Sequence, residues 1–180
     1  MNKIKRFEEF INEDSDQSYD YGCVMLYFDF PEMNKIHDTI DDTDIYTEDE
    51  DSSFGLETDS HITLLYGLHK GVTDSQVKDA ISDIYFNECT LHNVSLFESE
   101  YDVLKFDVEG GDSLSLANEV LKKLPFTSDY PDFHPHCTIS YLKKGAGSKY
   151  VKSLKSEKFK VTPTHIMYSK PDGEHVRIEL

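Results

Sequence analysis

The sequence predicts an α+β fold in which two similar lobes, each a β-sheet with helices, face one another across a central cleft. Three observations predict it. Strand-like and helix-like runs alternate in the order strand, helix, strand, helix, strand, strand, helix, strand, strand, strand. Two of the strand runs open with the same pattern, His61-Ile62-Thr63 and His136-Cys137-Thr138, each followed by apolar residues. Each motif strand sits within its own group of strands and helices, although no internal repeat is visible beyond the motifs. At 180 residues the chain is most simply one domain with a sizeable core.

The elements follow from periodicity and punctuation. Residues 1–13 place Ile4, Phe7, Phe10 and Ile11 at near-helical spacing and predict a detachable amphipathic helix; residues 14–20 form a polar linker, and 21–180 the domain. Gly22 to Phe30 is apolar on both faces, which predicts a central strand ended by Pro31. A short helix is expected from Glu32 to Ile40. The acidic stretch 38–52 is expected to be mainly loop, with a lid over a site as the functional alternative. The first motif strand runs from His61 to Gly67. Thr73 or Asp74 then caps a helix with Val77, Ala80, Ile81, Ile84 and Tyr85 on its apolar face. Strands near 91–97 and 103–108 lead to a turn at Gly110-Gly111. Asp112 or Ser113 caps the next helix, which buries Leu114, Leu116, Ala117, Val120, Leu121 and Leu124 and stops at Pro125. The second motif strand spans 136–142, followed by a Lys-rich connection with a short helix over 148–154. Strands over 160–168 and 175–180 flank the turn Pro171-Asp172-Gly173.

Charge limits the partners. With 35 acidic and 18 basic side chains the chain carries −17, so duplex DNA and anionic membranes are not expected partners. The distribution is uneven: 18 acids against 4 bases in residues 1–60, but 4 against 9 in 143–180. The lysines between Lys143 and Lys160 read either as a solvated face or as a source of field for a phosphate site. Cys23, Cys89 and Cys137 are too few and scattered for a disulfide framework, and Cys23 and Cys137 lie in apolar runs as buried thiols. The expectation is a protein of a reducing cytosol, of unknown oligomeric state.

The motifs carry the chemistry. Alternate side chains of a strand share a face, so His61 points with Thr63 and His136 with Thr138. Histidine serves as acid or base near neutral pH, and a threonine hydroxyl can donate to a phosphate oxygen. Two such pairs on opposite walls suit in-line phosphodiester cleavage, one imidazole on the attacking side and one on the leaving side. This chemistry requires no cofactor. His134 and His136 share a face if Pro135 is extended, but no carboxylate or Cys at the usual spacing completes a metal site with His61, so no metal is expected. His37, His69, His92, His165 and His175 stand alone and read as surface or structural.

The paired His-x-Thr pattern resembles the two-histidine (2H) phosphoesterase superfamily. The resemblance implies a bilobal, LigT-like fold, with His61 and His136 as the catalytic pair and Thr63 and Thr138 holding the phosphate. The contexts Phe54-Gly-Leu-Glu-Thr-Asp-Ser-His-Ile-Thr-Leu-Leu-Tyr-Gly67 and His134-Pro-His-Cys-Thr-Ile-Ser-Tyr141 are similar to the phage anti-CBASS protein 1 family. That resemblance implies a hydrolase of cyclic di- and trinucleotide signals such as cGAMP, acting in immune evasion in the host bacterial cytoplasm. Ligand-contact candidates are Tyr27, Phe28 and Tyr66, by position, and Lys170, Glu174 and Arg177 on the final hairpin; each also has a core or solvated-surface reading. Lys5 to Glu13 resembles the capsid-targeting leader of T-even phage internal proteins, cleaved after Glu13, which implies packaging in the phage head and injection. The alternatives are an RNA-end or 2′–5′-oligoadenylate phosphodiesterase, a non-catalytic cyclic nucleotide sponge, and a structural head protein.

Overall fold

A computed structural model describes residues 21–48, 53–130 and 132–180. The expected leader and linker, residues 1–20, lie outside them. Two four-stranded antiparallel sheets form the architecture. The first contains β1 (Gly22–Phe28), β2 (His61–Leu68), β7 (Pro163–Ser169) and β8 (His175–Glu179), in the order β2-β1-β7-β8. The second contains β3 (Cys89–Glu98), β4 (Tyr101–Glu109), β5 (His136–Lys143) and β6 (Phe159–Val161), in the order β5-β4-β3-β6. Each sheet thus has a motif strand at one end and a long apolar strand beside it, β1 in one and β4 in the other. This is the pseudo-symmetric α+β arrangement expected from the sequence.

The α-helices among the described residues are α1 (Glu32–His37), α2 (Asp74–Ile81), α3 (Asp112–Leu121) and α4 (Gly147–Ser153). Of the two cap candidates, Thr73 caps α2, in a reciprocal box with Gln76. This helix ends earlier than its apolar pattern suggested, and Tyr85 is 81% exposed rather than inside. Neither Asp112 nor Ser113 caps α3. Gly111, at φ 65°, occupies the cap position, and Ser113 donates back to the Gly110 carbonyl. Leu116 is also exposed, because it lies away from the face formed by Leu114, Ala117 and Leu121.

The run 160–168 is two strands, not one. Phe159–Val161 pairs with β3 and Pro163–Ser169 pairs with β1, so the chain changes sheets at Thr162. Pro163 lacks the N–H that a continuous ladder would need, which favours a break there. Phe30, Phe106 and Phe159 meet edge to face across this junction, with centroids 5.0–6.1 Å apart. The three cysteines are buried free thiols.

Both motif strands carry a bulge at the same place. Val24 pairs with Leu65 but Met25 with Thr63, leaving Leu64 unmatched. Leu104 pairs with Ser140 but Lys105 with Thr138, leaving Ile139 unmatched. Each bulge carbonyl receives a side-chain donor from the helix that follows the other sheet's long strand. Asn118 of α3 donates to Leu64 O at 2.6 Å, and His37 Nε2 of α1 donates to Ile139 O at 2.9 Å. The outer edges of the motif strands are also covered. Tyr46 N and Glu57 N donate to β5 carbonyls, and Thr127 N donates to Gly67 O. Gly67 has φ 111°, and a Cβ there would lie 1.9 Å from Thr127 O, so only glycine permits this approach.

Asn118 is 5% exposed. Asn118→Ala strands a buried carbonyl and should lower stability by about 1–3 kcal/mol, measured by denaturant unfolding.

Candidate active site

The bulged strands place His61 and Thr63 on one face of the first sheet, and His136 and Thr138 on one face of the second. Each imidazole is oriented by the backbone two residues upstream. His61 Nδ1 donates to Asp59 O at 2.6 Å and His136 Nδ1 to His134 O at 2.8 Å. A carbonyl only accepts, so Nδ1 carries the proton in both rings and Nε2 is left to exchange one. The motif strands β2 and β5 pack against each other, which brings the two motifs together. Thr63 Oγ1 is buried and makes no hydrogen bond among the described residues.

Strand register defines what lies beside each motif. Across from His61 is Tyr27, and across from Tyr27 is His165. Tyr27 stacks between the two, with centroids 5.3 Å from His61 and 5.0 Å from His165. His165, expected to stand alone, is therefore part of this row. Across from His136 is Asp107, and across from Thr138 is Lys105. Lys105 is only 5% exposed; its Nζ donates to Ser95 Oγ at 2.8 Å and pairs with Asp107 Oδ1 at 2.6 Å. The Phe97 ring lies 4.3 Å from Lys105 Nζ and packs edge-on to His136 at 4.9 Å.

These surroundings make the two histidines unequal. Burial, with the Lys105 and His61 charges adding to it, pushes His136 down to about 4 against the opposing pull of the His134 carbonyl and Asp107. His136 is thus an uncharged imidazole at neutral pH. Burial alone would raise the Asp107 carboxyl, but Lys105, Asn93 and Ser95 outweigh it and hold the group below its ordinary value.

The other candidates separate clearly. Tyr27 lies in the site. Phe28 is 4% exposed and belongs to the core, with one edge on a neighbouring groove. Tyr66 sits past the bulge, edge-on to Tyr21. Arg177 shares the sheet row of Thr63, Met25 and Met167 and pairs with Glu179. Lys170 and Glu174 pair with each other at the end of β7 away from His165. Part of the lysine run is engaged elsewhere: Lys143 holds Thr43 O, Lys149 pairs with Asp44 and Lys160 with Glu88. The first two also tie down the start of the acidic stretch. A groove of about 510 Å³ opens beside Tyr27, walled by Asp29, Asn34, Asp59, Thr164 and His165.

The sequence pattern missed Lys105, Asp107, Phe97 and His165. Two charged residues alternating with Leu104 and Phe106 were the visible signal, but their neighbours depend on strand pairing.

This chain has the α+β fold of the 2H phosphoesterases. Among solved structures it is similar to Kluyveromyces marxianus Usb1, with a TM-score of 0.56 at 9% identity, over 90% of this chain and 99% of that one. It is also similar to the MHV ns2 PDE domain, with a TM-score of 0.55 at 18% identity, over 87% and 98%. Both are members of the 2H family, and at these identities the likeness is one of fold. No protein-family model and no curated protein matches the sequence.

Because the folded value of His136 is depressed, the unfolded chain binds the extra proton between about pH 6.5 and 4, and stability falls as pH falls through that window. His136→Asn should lose stability less steeply there, measured by thermal unfolding against pH. In a nitrogen-resolved imidazole titration the His136 ring should show no midpoint between about pH 5.5 and 8.

Proposed function

We propose that this protein is a metal-independent phosphodiesterase that opens cyclic di- and trinucleotide second messengers and so counters the bacterial CBASS antiphage response. The observation that carries the reading is a histidine on each of two strands in contact, each with Nδ1 tied to a carbonyl, Nε2 left over and a threonine two residues on.

In this reading one ring accepts the proton of the attacking oxygen and the other gives a proton to the departing one; the uncharged His136 imidazole suits the accepting role. For a 3′–5′ linkage, the ribose 2′-hydroxyl attacks phosphorus, the bond to the 5′-oxygen breaks, and that oxygen leaves protonated. The product is a linear oligonucleotide ending in a 2′,3′-cyclic phosphate. Water in place of the hydroxyl yields a phosphate monoester. Thr63 and Thr138 donate to the nonbridging oxygens as charge develops. The groove beside Tyr27 is of a size for a base and sugar rather than a polymer, and the net charge of −17 disfavours long nucleic acids. Tyr27 offers the stacking surface nearest His61.

The same pair of imidazoles would serve a second arm, linear RNA ends and 2′–5′-oligoadenylates. Incubation with cyclic di- and trinucleotides and with linear oligonucleotides, in chelator, should show cleavage of cyclic compounds by chromatography. Cleavage of linear substrates alone would select the second arm, and ligand returned intact after heat release would identify a sponge. His61→Ala and His136→Ala should each lower turnover at least about 10²-fold. Packaging through residues 1–13 predicts protein cleaved after Glu13 in purified virions, read by mass spectrometry.

A further inference from the structure

The two halves of the site serve as controls for each other. Strand register puts Met25 opposite Thr63 and Lys105 opposite Thr138, at equivalent positions of the long strands. Beyond Met25 is Met167, and beyond Lys105 is Ser95. The first sheet therefore satisfies this position with apolar side chains, so the architecture alone does not call for a cation there. Burying an ammonium is costly, and an ion pair in its place is often no more stable than apolar residues of the same volume. Among the described residues Lys105 is the one buried lysine or arginine. A charge retained at such cost, beside Thr138 and His136, points to use rather than packing.

We infer that Lys105 is a further catalytic residue of this site, the cation that neutralises a nonbridging phosphoryl oxygen held by Thr138, with Asp107 and Ser95 as its tether. Two of the three ammonium N–H groups are taken by Ser95 and Asp107, which leaves one for a ligand oxygen. Asn93 and Ser95 hold Asp107 in turn, so the ammonium cannot swing away. The Phe97 ring, 40% exposed, covers this corner at the rim and is the group that a bound ligand would displace. The same charge acts on His136: it faces that ring along with Asp107, His61 and the His134 carbonyl, and disfavours its protonation. One residue thus makes the second motif the anion-holding, base-bearing half. The assignment rests on the phosphodiesterase reading, deepening it by naming the charge that the two motifs lack.

The test uses the full chain with Lys105→Met, Lys105→Arg and the double variant Lys105→Met/Asp107→Asn. The double variant removes both charges together and keeps the fold testable if Lys105→Met leaves Asp107 stranded. Two readouts are independent of turnover: binding of inorganic phosphate by calorimetry, and the His136 imidazole titration. Lys105→Met, or the double variant, should bind phosphate at least about 10-fold more weakly and turn over about 10²-fold more slowly. In Lys105→Met the His136 titration should also move up toward the ordinary range. Lys105→Arg should recover most of the loss in all three. A folded charge-free variant with phosphate affinity and His136 titration within about twofold of the unaltered protein would overturn the assignment. If the unaltered protein cleaves nothing yet its phosphate binding depends on Lys105, the phosphodiesterase reading fails while Lys105 stands as an anion site.

Discussion

The geometry of this site depends on two carbonyl oxygens. Leu64 O and Ile139 O project from the bulges of the motif strands, and each is held by a side chain from the helix following the opposite sheet's long strand. A bulge turns the strand and re-aims the residues before it. Here it comes directly after the threonine of each motif, so it sets where the hydroxyl and imidazole point. Because Asn118 holds one and His37 the other, each lobe fixes the aim of its partner's motif. A histidine that reads as solitary in the sequence is, on this account, half of a reciprocal clasp.

Symmetry in the backbone is combined with asymmetry in the side chains. The two motifs share their register, their bulges and their Nδ1 contacts, yet one imidazole stacks on Tyr27 and the other adjoins an ion pair. The unlike neighbours make the two rings inequivalent: burial and a nearby ammonium keep His136 uncharged, while the Tyr27 ring lies stacked beside His61.

Much of this was legible in the sequence, because it depends on local periodicity. The alternation of His61 and Thr63 against Ile62 and Leu64, the helix start at Thr73 or Asp74 and the apolar character of β1 are all properties of neighbouring residues. What was not legible depends on pairing between distant segments. Nothing near Lys105 announces that Thr138 lies across from it, and nothing near His165 announces Tyr27. The break at Pro163 could have been suspected from proline chemistry, but not its meaning as a change of sheet. Tyr85 and Leu116 were misplaced for a related reason: helical spacing gives a face, whereas the packed partner decides how much of that face is covered. The lysine run shows the same limit, since Lys149 meets Asp44 of a segment more than a hundred residues earlier.

The sheet change at Thr162 has a consequence for how the molecule is made. The second sheet is built from residues 89–161, a nearly contiguous stretch, and can close early during synthesis. The first sheet needs β1 and β2 from the start of the domain and β7 and β8 from its end. While the chain is being translated, β1 therefore lacks its second neighbour, and Tyr27 lacks His165. Domains complete as their last pairing segments emerge. His61 acquires its final surroundings only after β7 has emerged, so a nascent chain lacking β7 carries one finished half-site and an open partner.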